Sequence, residues 1–142
     1  MSPAGPVRVV FVCIGNSCRS PMAEAFARQL GPGVVEASSA GLYPAPIIQP
    51  ETFQVLAERG IDPRIAMALG PPSSLLLLNP ADVDLIVNMS GLPLDPLLNG
   101  FTGRQIVWQV RDPIGQSLEV YRSARDQIEK KVAELLEQLR QK

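Results

Sequence analysis

Apolar residues fall in short blocks along this chain, and the blocks switch between two periods. Val7 to Val12, VRVVFV, is a β-branched run broken by one charge and predicts a strand covered on both faces. Met22, Phe26 and Leu30 then recur every fourth residue, the spacing of a helix with one buried face. Ser20-Pro21 supplies its start, a capping hydroxyl and then a proline at the first helical position, and Gly31-Pro32-Gly33 its stop. Residues 34–41, VVEASSAG, predict a strand running into a glycine turn. A second helix is expected from Pro50 to Arg59, with Phe53, Leu56 and Ala57 inward and Gly60 as its end.

The middle of the chain is less regular. Residues 61–74 are proline-rich and predict a surface loop, and the leucines at 75–78 fit a short core helix capped by Ser73 or Ser74, or else a strand. DLIVNM (84–89) and QIVWQV (105–110) predict two further strands, with Trp108 against the sheet. Residues 91–104 read as a loop with one turn of helix. From Ser117 to Gln141, positions 124, 128, 132, 135 and 139 mark one face of a long amphipathic helix, with Tyr121 placed either in the core or at the surface. Strands alternating with helices predict an α/β domain with a parallel sheet and helices on both faces, spanning residues 1–142 as one unit.

In such a sheet, ligands gather beyond the carboxyl ends of the strands. Cys13 falls at that end of the first strand, and the Asp112-Pro113 pair at that end of the fourth. Between Cys13 and the next helix lie Ile14, Gly15, Asn16, Ser17, Cys18 and Arg19. A strand-to-helix loop collects backbone N–H groups next to the positive end of a helix dipole, a cradle for an oxyanion. Gly15 relieves a tight backbone path, Asn16 holds the loop by hydrogen bonds, and Arg19 offers two parallel donors to two oxyanion oxygens. The field that binds an anion also favours a thiolate at Cys13.

Composition narrows the chemistry. The chain has no histidine, which removes Ser-His-Asp and Cys-His nucleophiles and imidazole metal sites together. Thirteen Lys and Arg face fourteen Asp and Glu with no basic stripe, so nucleic acid is not expected as a partner. No apolar run is long enough for a bilayer, and MSPAGPVRVVFVC lacks the parts of a secretory signal, so a cytoplasmic protein with free thiols and no membrane partner is expected. The parts left are a thiolate at Cys13, a clamp at Arg19 and a proton donor at Asp112. They suffice for attack on phosphorus, a phosphocysteine, and its hydrolysis with Asp112 as acid and then base, without a cofactor.

CIGNSCRSPMAE closely resembles the phosphate-binding loop of the low-molecular-weight protein-tyrosine phosphatase family, which includes related arsenate reductases. SSAG (38–41), RDP (111–113) and SLEVYRSARDQIEKKV resemble further segments of that family. The resemblance implies a four-stranded parallel sheet in a flavodoxin-like three-layer sandwich of the phosphotyrosine-phosphatase-I type, no metal, and a phosphorylated side chain as substrate. Carried over by position, Cys13 is the nucleophile, Arg19 binds phosphate, Asp112 is the acid, Ser20 tunes the thiolate and Ser39 bonds the loop asparagine. Cys18 matches a loop cysteine that can trap oxidised Cys13 as a disulfide.

Departures from the family pattern leave a second activity open. Ser17 resembles the arsenate reductases, Pro21 the phosphatases. Members that reduce arsenate through a relay of three cysteines carry two beyond the third strand, where this chain has NMSGLPLD with Ser90. Arsenate reduction here requires an outside thiol such as glutathione or a glutaredoxin. DPIG lacks the aromatic that walls a phenyl ring, leaving Ile114 and Tyr43 as substitutes and phosphoarginine or a small phosphate as alternatives to phosphotyrosine. A module that only binds phosphorylated proteins would not need Cys13 or Asp112. Arg111 is expected to be a solvated surface charge.

Overall fold

The computed structural model describes residues 5–141; the first four residues, part of the stretch read above for an export signal, and Lys142 lie outside them. Strand β1 (Val7–Cys13) leads into helix α1 (Arg19–Leu30) and strand β2 (Val35–Gly41). Helices α2 (Pro50–Glu58) and α3 (Pro63–Met67) precede strand β3 (Leu85–Asn88), strand β4 (Arg104–Val107) and helix α4 (Leu118–Arg140). The four strands pair in the order β2-β1-β3-β4, every pair parallel. β1 is therefore central, and its carboxyl end lies between those of β2 and β3.

The unbroken apolar run of β1 follows from burial on both faces. Val9, Phe11 and Cys13 point into one core with Met22 and Phe26 of α1, Val55 and Leu56 of α2, and Ile128 and Val132 of α4. Val10 and Val12 point into the other core, with Leu75, Ile86, Leu94 and Leu98. The α-helices cover the first face. The second is covered by connecting loops and by single 3-10 turns at residues 75–77, 80–82 and 95–97. The helical layer expected there is present in this reduced form, and the sandwich has three layers.

Several local expectations are corrected. Residues 63–67 are helical rather than loop, because Asp62 accepts from the Arg64 N–H at 2.9 Å and Pro63 occupies the first turn. Of the four leucines only Leu75 is buried (2 % exposed); Leu76 and Leu77 are exposed (69 % and 82 %), since a three-residue 3-10 turn capped by Ser74 turns one side chain inward. In α2, Thr52, Val55 and Leu56 are buried while Phe53 and Ala57 face outward, a rotation of the predicted face. Leu30 ends α1 exposed. β4 stops at Val107, short of residue 110, because the chain leaves the sheet there to bring the Val110 carbonyl onto Arg19.

Candidate active site

The segment 13–20 turns from β1 into α1 and is almost wholly inside the protein: Cys13, Asn16, Ser17, Cys18, Arg19 and Ser20 are buried. Most of its carbonyls are occupied. Cys13 O accepts from Leu42 N at 3.2 Å, Ile14 O from Tyr43 N at 2.8 Å and Gly15 O from Ala45 N at 2.9 Å. Ser17 O accepts from Gln49 N at 3.0 Å and from the Thr52 hydroxyl at 2.9 Å, and Cys18 O from Met22 N at 3.1 Å. Among the described residues, no protein acceptor takes the backbone N–H of residues 14–18. A peptide turn with most of its acceptors filled and its donors free has the polarity that binds an anion.

The turn is tight at Asn16 rather than at Gly15, correcting the sequence expectation. Asn16 has φ +52°, the left-handed region that costs an L-residue free energy unless its surroundings hold it. They do: its Nδ2 donates to Ser20 Oγ at 2.8 Å and Ser39 Oγ at 3.0 Å, and its Oδ1 accepts from Ser73 N at 2.9 Å. Gly41 at the end of β2 completes the seat. A Cβ there would lie 2.9 Å from both Asn16 N and Ile14 O, so only glycine lets the loop pass.

Ser20 does not cap α1, which begins at Arg19. Its buried hydroxyl lies 2.9 Å from Cys13 Sγ. Cys18 faces away into the core, 3.7 Å from the Tyr121 hydroxyl and 3.7 Å from Ser17 Oγ. Burial pushes the Cys18 thiol up, outweighing its hydrogen bond with Tyr121, which acts the other way. Both cysteines are free thiols.

Arg19 is oriented from the far side of the sheet. Its Nη1 donates to Met89 O at 2.6 Å, just past β3, and to Val110 O at 2.9 Å, past β4. Nη2 lies 3.5 Å from Asp112 Oδ2. Nε is buried and has no partner, alone in this respect among the side-chain nitrogens and oxygens of the described residues. The fork left for an oxyanion is thus Nε with Nη2. Asp112 sits in a turn that Pro113 anchors by its burial, and accepts from Ile114 N at 3.1 Å. Topology therefore joins Cys13, Arg19 and Asp112 at one sheet edge. Arg111 is exposed, as expected, and reaches Gln116 at 3.2 Å; Tyr43 and Ile114 stand exposed on the loops after β2 and β4.

Sequence reasoning missed Ser73, Thr52, Gly41 and Glu24 as parts of this site. Glu24 had a signal, a lone carboxylate in the apolar helical stretch MAEAFA; the others had none beyond residue type. Among the described residues no cluster of three or more His, Cys, Asp or Glu side chains can hold a metal, and no helix is long and apolar enough to cross a membrane.

A family model described as low molecular weight phosphotyrosine protein phosphatase matches residues 8–142. A glutaredoxin arsenate reductase of Synechocystis is 37 % identical over 131 residues, covering 91 % of this chain and 95 % of that protein. A protein-arginine-phosphatase of Geobacillus stearothermophilus is 33 % identical over 146 residues, covering 94 % and 97 %. Among solved structures, an arsenate reductase in the phosphate binding state superposes with a TM-score of 0.81 at 34 % identity, covering 94 % of this chain and 98 % of that one.

Proposed function

This chain belongs to the low molecular weight phosphotyrosine protein phosphatase family, and from that premise we propose that it is a cysteine-dependent phosphomonoesterase acting on a phosphorylated protein side chain. One observation carries the reading: the carbonyls of Cys13, Ile14, Gly15, Ser17 and Cys18 are filled, while the N–H groups of residues 14–18 and Arg19 Nε remain free. Ile14, Gly15, Asn16, Ser17 and Cys18 supply the backbone donors and Arg19 the charged ones, a set suited to the three non-bridging oxygens of a phosphoryl group.

The chemistry follows in two displacements. Cys13 Sγ attacks phosphorus; the P–O bond to the leaving group breaks as the S–P bond forms, and Asp112 gives its proton to the departing oxygen. Water then attacks the phosphocysteine, Asp112 takes its proton, and inorganic phosphate leaves with the thiolate restored. Pro113 fixes the turn that presents Asp112. The donors to the equatorial oxygens need no rearrangement, because the loop is already bonded on its outer side.

The likeness to the Synechocystis arsenate reductase supports a second reading on the same cradle. Cys13 would displace hydroxide from arsenate to form an S–As bond. An external thiolate would then attack Cys13 Sγ, giving a mixed disulfide and releasing arsenite, with the two electrons supplied by the sulfurs. A second external thiol would reduce the mixed disulfide. Cys13 and Cys18 are the two cysteines of the chain, so the recycling thiol comes from outside.

Hydrolysis of p-nitrophenyl phosphate at mildly acidic pH, wild type beside Cys13→Ser, tests the first reading. Turnover in the wild type and none in the variant supports it. A reduced wild type without turnover, but with arsenate-dependent oxidation of glutathione, replaces it with the second.

A further inference from the structure

Helix α1 buries a carboxylate that neither reaction uses. The Glu24 side chain is 8 % exposed, whereas Arg28, whose Nη2 lies 2.7 Å from Glu24 Oε2, is 38 % exposed. An ordinary i,i+4 ion pair on a helix leaves both partners in water. Here one partner is drawn inward, and burial of a carboxylate is unfavourable unless further donors reach it. The donor that reaches it is Ser39, whose hydroxyl lies 2.5 Å from Glu24 Oε1.

We propose that Glu24 is a positioning residue for Cys13, keeping Ser39 as an acceptor for Asn16 and so steadying the amide whose second hydrogen directs the Ser20 proton to the sulfur. This rests on the reading of Cys13 as nucleophile. The direction can be followed atom by atom. An ionised carboxylate only accepts, so the single Ser39 proton points at Glu24. Ser39 Oγ therefore offers its lone pairs to Asn16 Nδ2 at 3.0 Å. The Asn16 amide cannot be turned over, because its other end accepts from the Ser73 backbone N–H, which only donates. The second Nδ2 hydrogen enters Ser20 Oγ at 2.8 Å. Ser20 then has its own proton left for Cys13 Sγ at 2.9 Å, the orientation that stabilises a thiolate.

Without an acceptor at position 24 the Ser39 proton has no fixed place, and the Asn16 amide loses one of its three anchors. Glu24→Gln tests the direction at constant volume. Arg28 selects the new amide oxygen, which turns the amide nitrogen toward Ser39 and reverses the first bond. The residues border a cleft of about 210 Å³, so the change is not forced into a closed core.

The readout is alkylation of Cys13 by iodoacetamide at pH 6, followed on the Cys13 peptide by mass spectrometry, beside kcat and KM for p-nitrophenyl phosphate. Glu24→Gln is expected to slow alkylation about tenfold and kcat by a similar factor with KM moved less than about twofold. In a Ser39→Ala background the same substitution should cost nothing further, because the chain is already cut. Unchanged alkylation in Glu24→Gln, or a full repeat of its loss on top of Ser39→Ala, overturns the proposal. Should Glu24→Gln fail to fold, Ser39→Ala alone decides it: about tenfold slower alkylation supports the chain, and no change overturns it. Alkylation requires no turnover, so a protein without phosphatase activity would count against the proposed function while still testing Glu24.

Discussion

The two loops that meet at the candidate site are built in opposite ways. The turn at 13–20 is buried and held from both β2 and α1, with side-chain bonds from Asn16 to Ser20, Ser39 and Ser73. The turn at 111–117 is largely exposed, and Asp112 is tied by one bond to Ile114 N and a 3.5 Å approach to Arg19, with 39 % of its side chain in water. The difference matches what the proposed chemistry asks of each. Donors that stabilise a transferring phosphoryl group act best when fixed beforehand. A group that gives a proton to one oxygen and takes one from another has to meet two partners in turn, and a tight cage would hinder the second.

Breaking the cradle at Cys13, the proposed nucleophile, has the largest expected effect. Cys13→Ser should lower turnover of p-nitrophenyl phosphate by about 10⁴-fold or more while inorganic phosphate still raises the melting temperature. Loss of phosphate stabilisation as well would mean that the sulfur itself shapes the cradle. Asp112→Ala comes next, about 100-fold for phenyl phosphate and under about tenfold for p-nitrophenyl phosphate, whose leaving group needs little help. Equal losses with both esters would remove Asp112 from the role of acid.

The sharpest comparison pairs one substitution in each loop. Asn16→Ala leaves a left-handed alanine and strips partners from buried Ser20 and half-buried Ser39, and should destabilise the fold by about 2 kcal/mol. Ile114→Ala in the other turn should move stability by less than about 0.5 kcal/mol. Urea unfolding of both measures it, and similar values would show that the two loops are equally determined.

The smallest effect lies remote from both loops, where Glu58 bonds Arg122 at 2.7 Å and Arg125 at 2.7 Å and ties α2 to α4. The Arg122 hydrogen bond, with Arg125 beside it, draws the Glu58 carboxyl down from 4.5 to about 2. A group held low in the folded state binds fewer protons than it does unfolded. Its contribution is complete above about pH 4.5 and declines as pH falls toward about 2. The stability gap between wild type and Glu58→Gln should therefore be smaller at pH 3 than at pH 6, with turnover at pH 6 unchanged.

Where the sequence could be read, local chemistry decided the outcome. The β-branched run of β1, the four-residue period of Met22 and Phe26, and the glycines that end α1 each had one physical meaning, and together they put Cys13 at a strand end. α3 was equally legible in Asp62-Pro63-Arg64, a cap and a first-turn proline, but the prolines around it spoke louder. The exposure of Leu76 and Leu77 was not legible, since a run of leucines carries no phase. Nor were Ser73 and Gly41, whose parts in the site depend on which strand lies beside β1. That neighbour is set by pairing across the sheet rather than by anything within a few residues.

The hold on Arg19 also sets a timetable. Its guanidinium is aimed by carbonyls of Met89 and Val110, and both are synthesised long after the arginine itself. At ordinary rates of translation, on the order of 10 s separates the thiol's emergence from that of the last group that orients its clamp. A nascent or truncated chain that ends before Val110 carries Cys13 without the carbonyls that aim Arg19, so on the proposed reading it lacks activity until that segment is made.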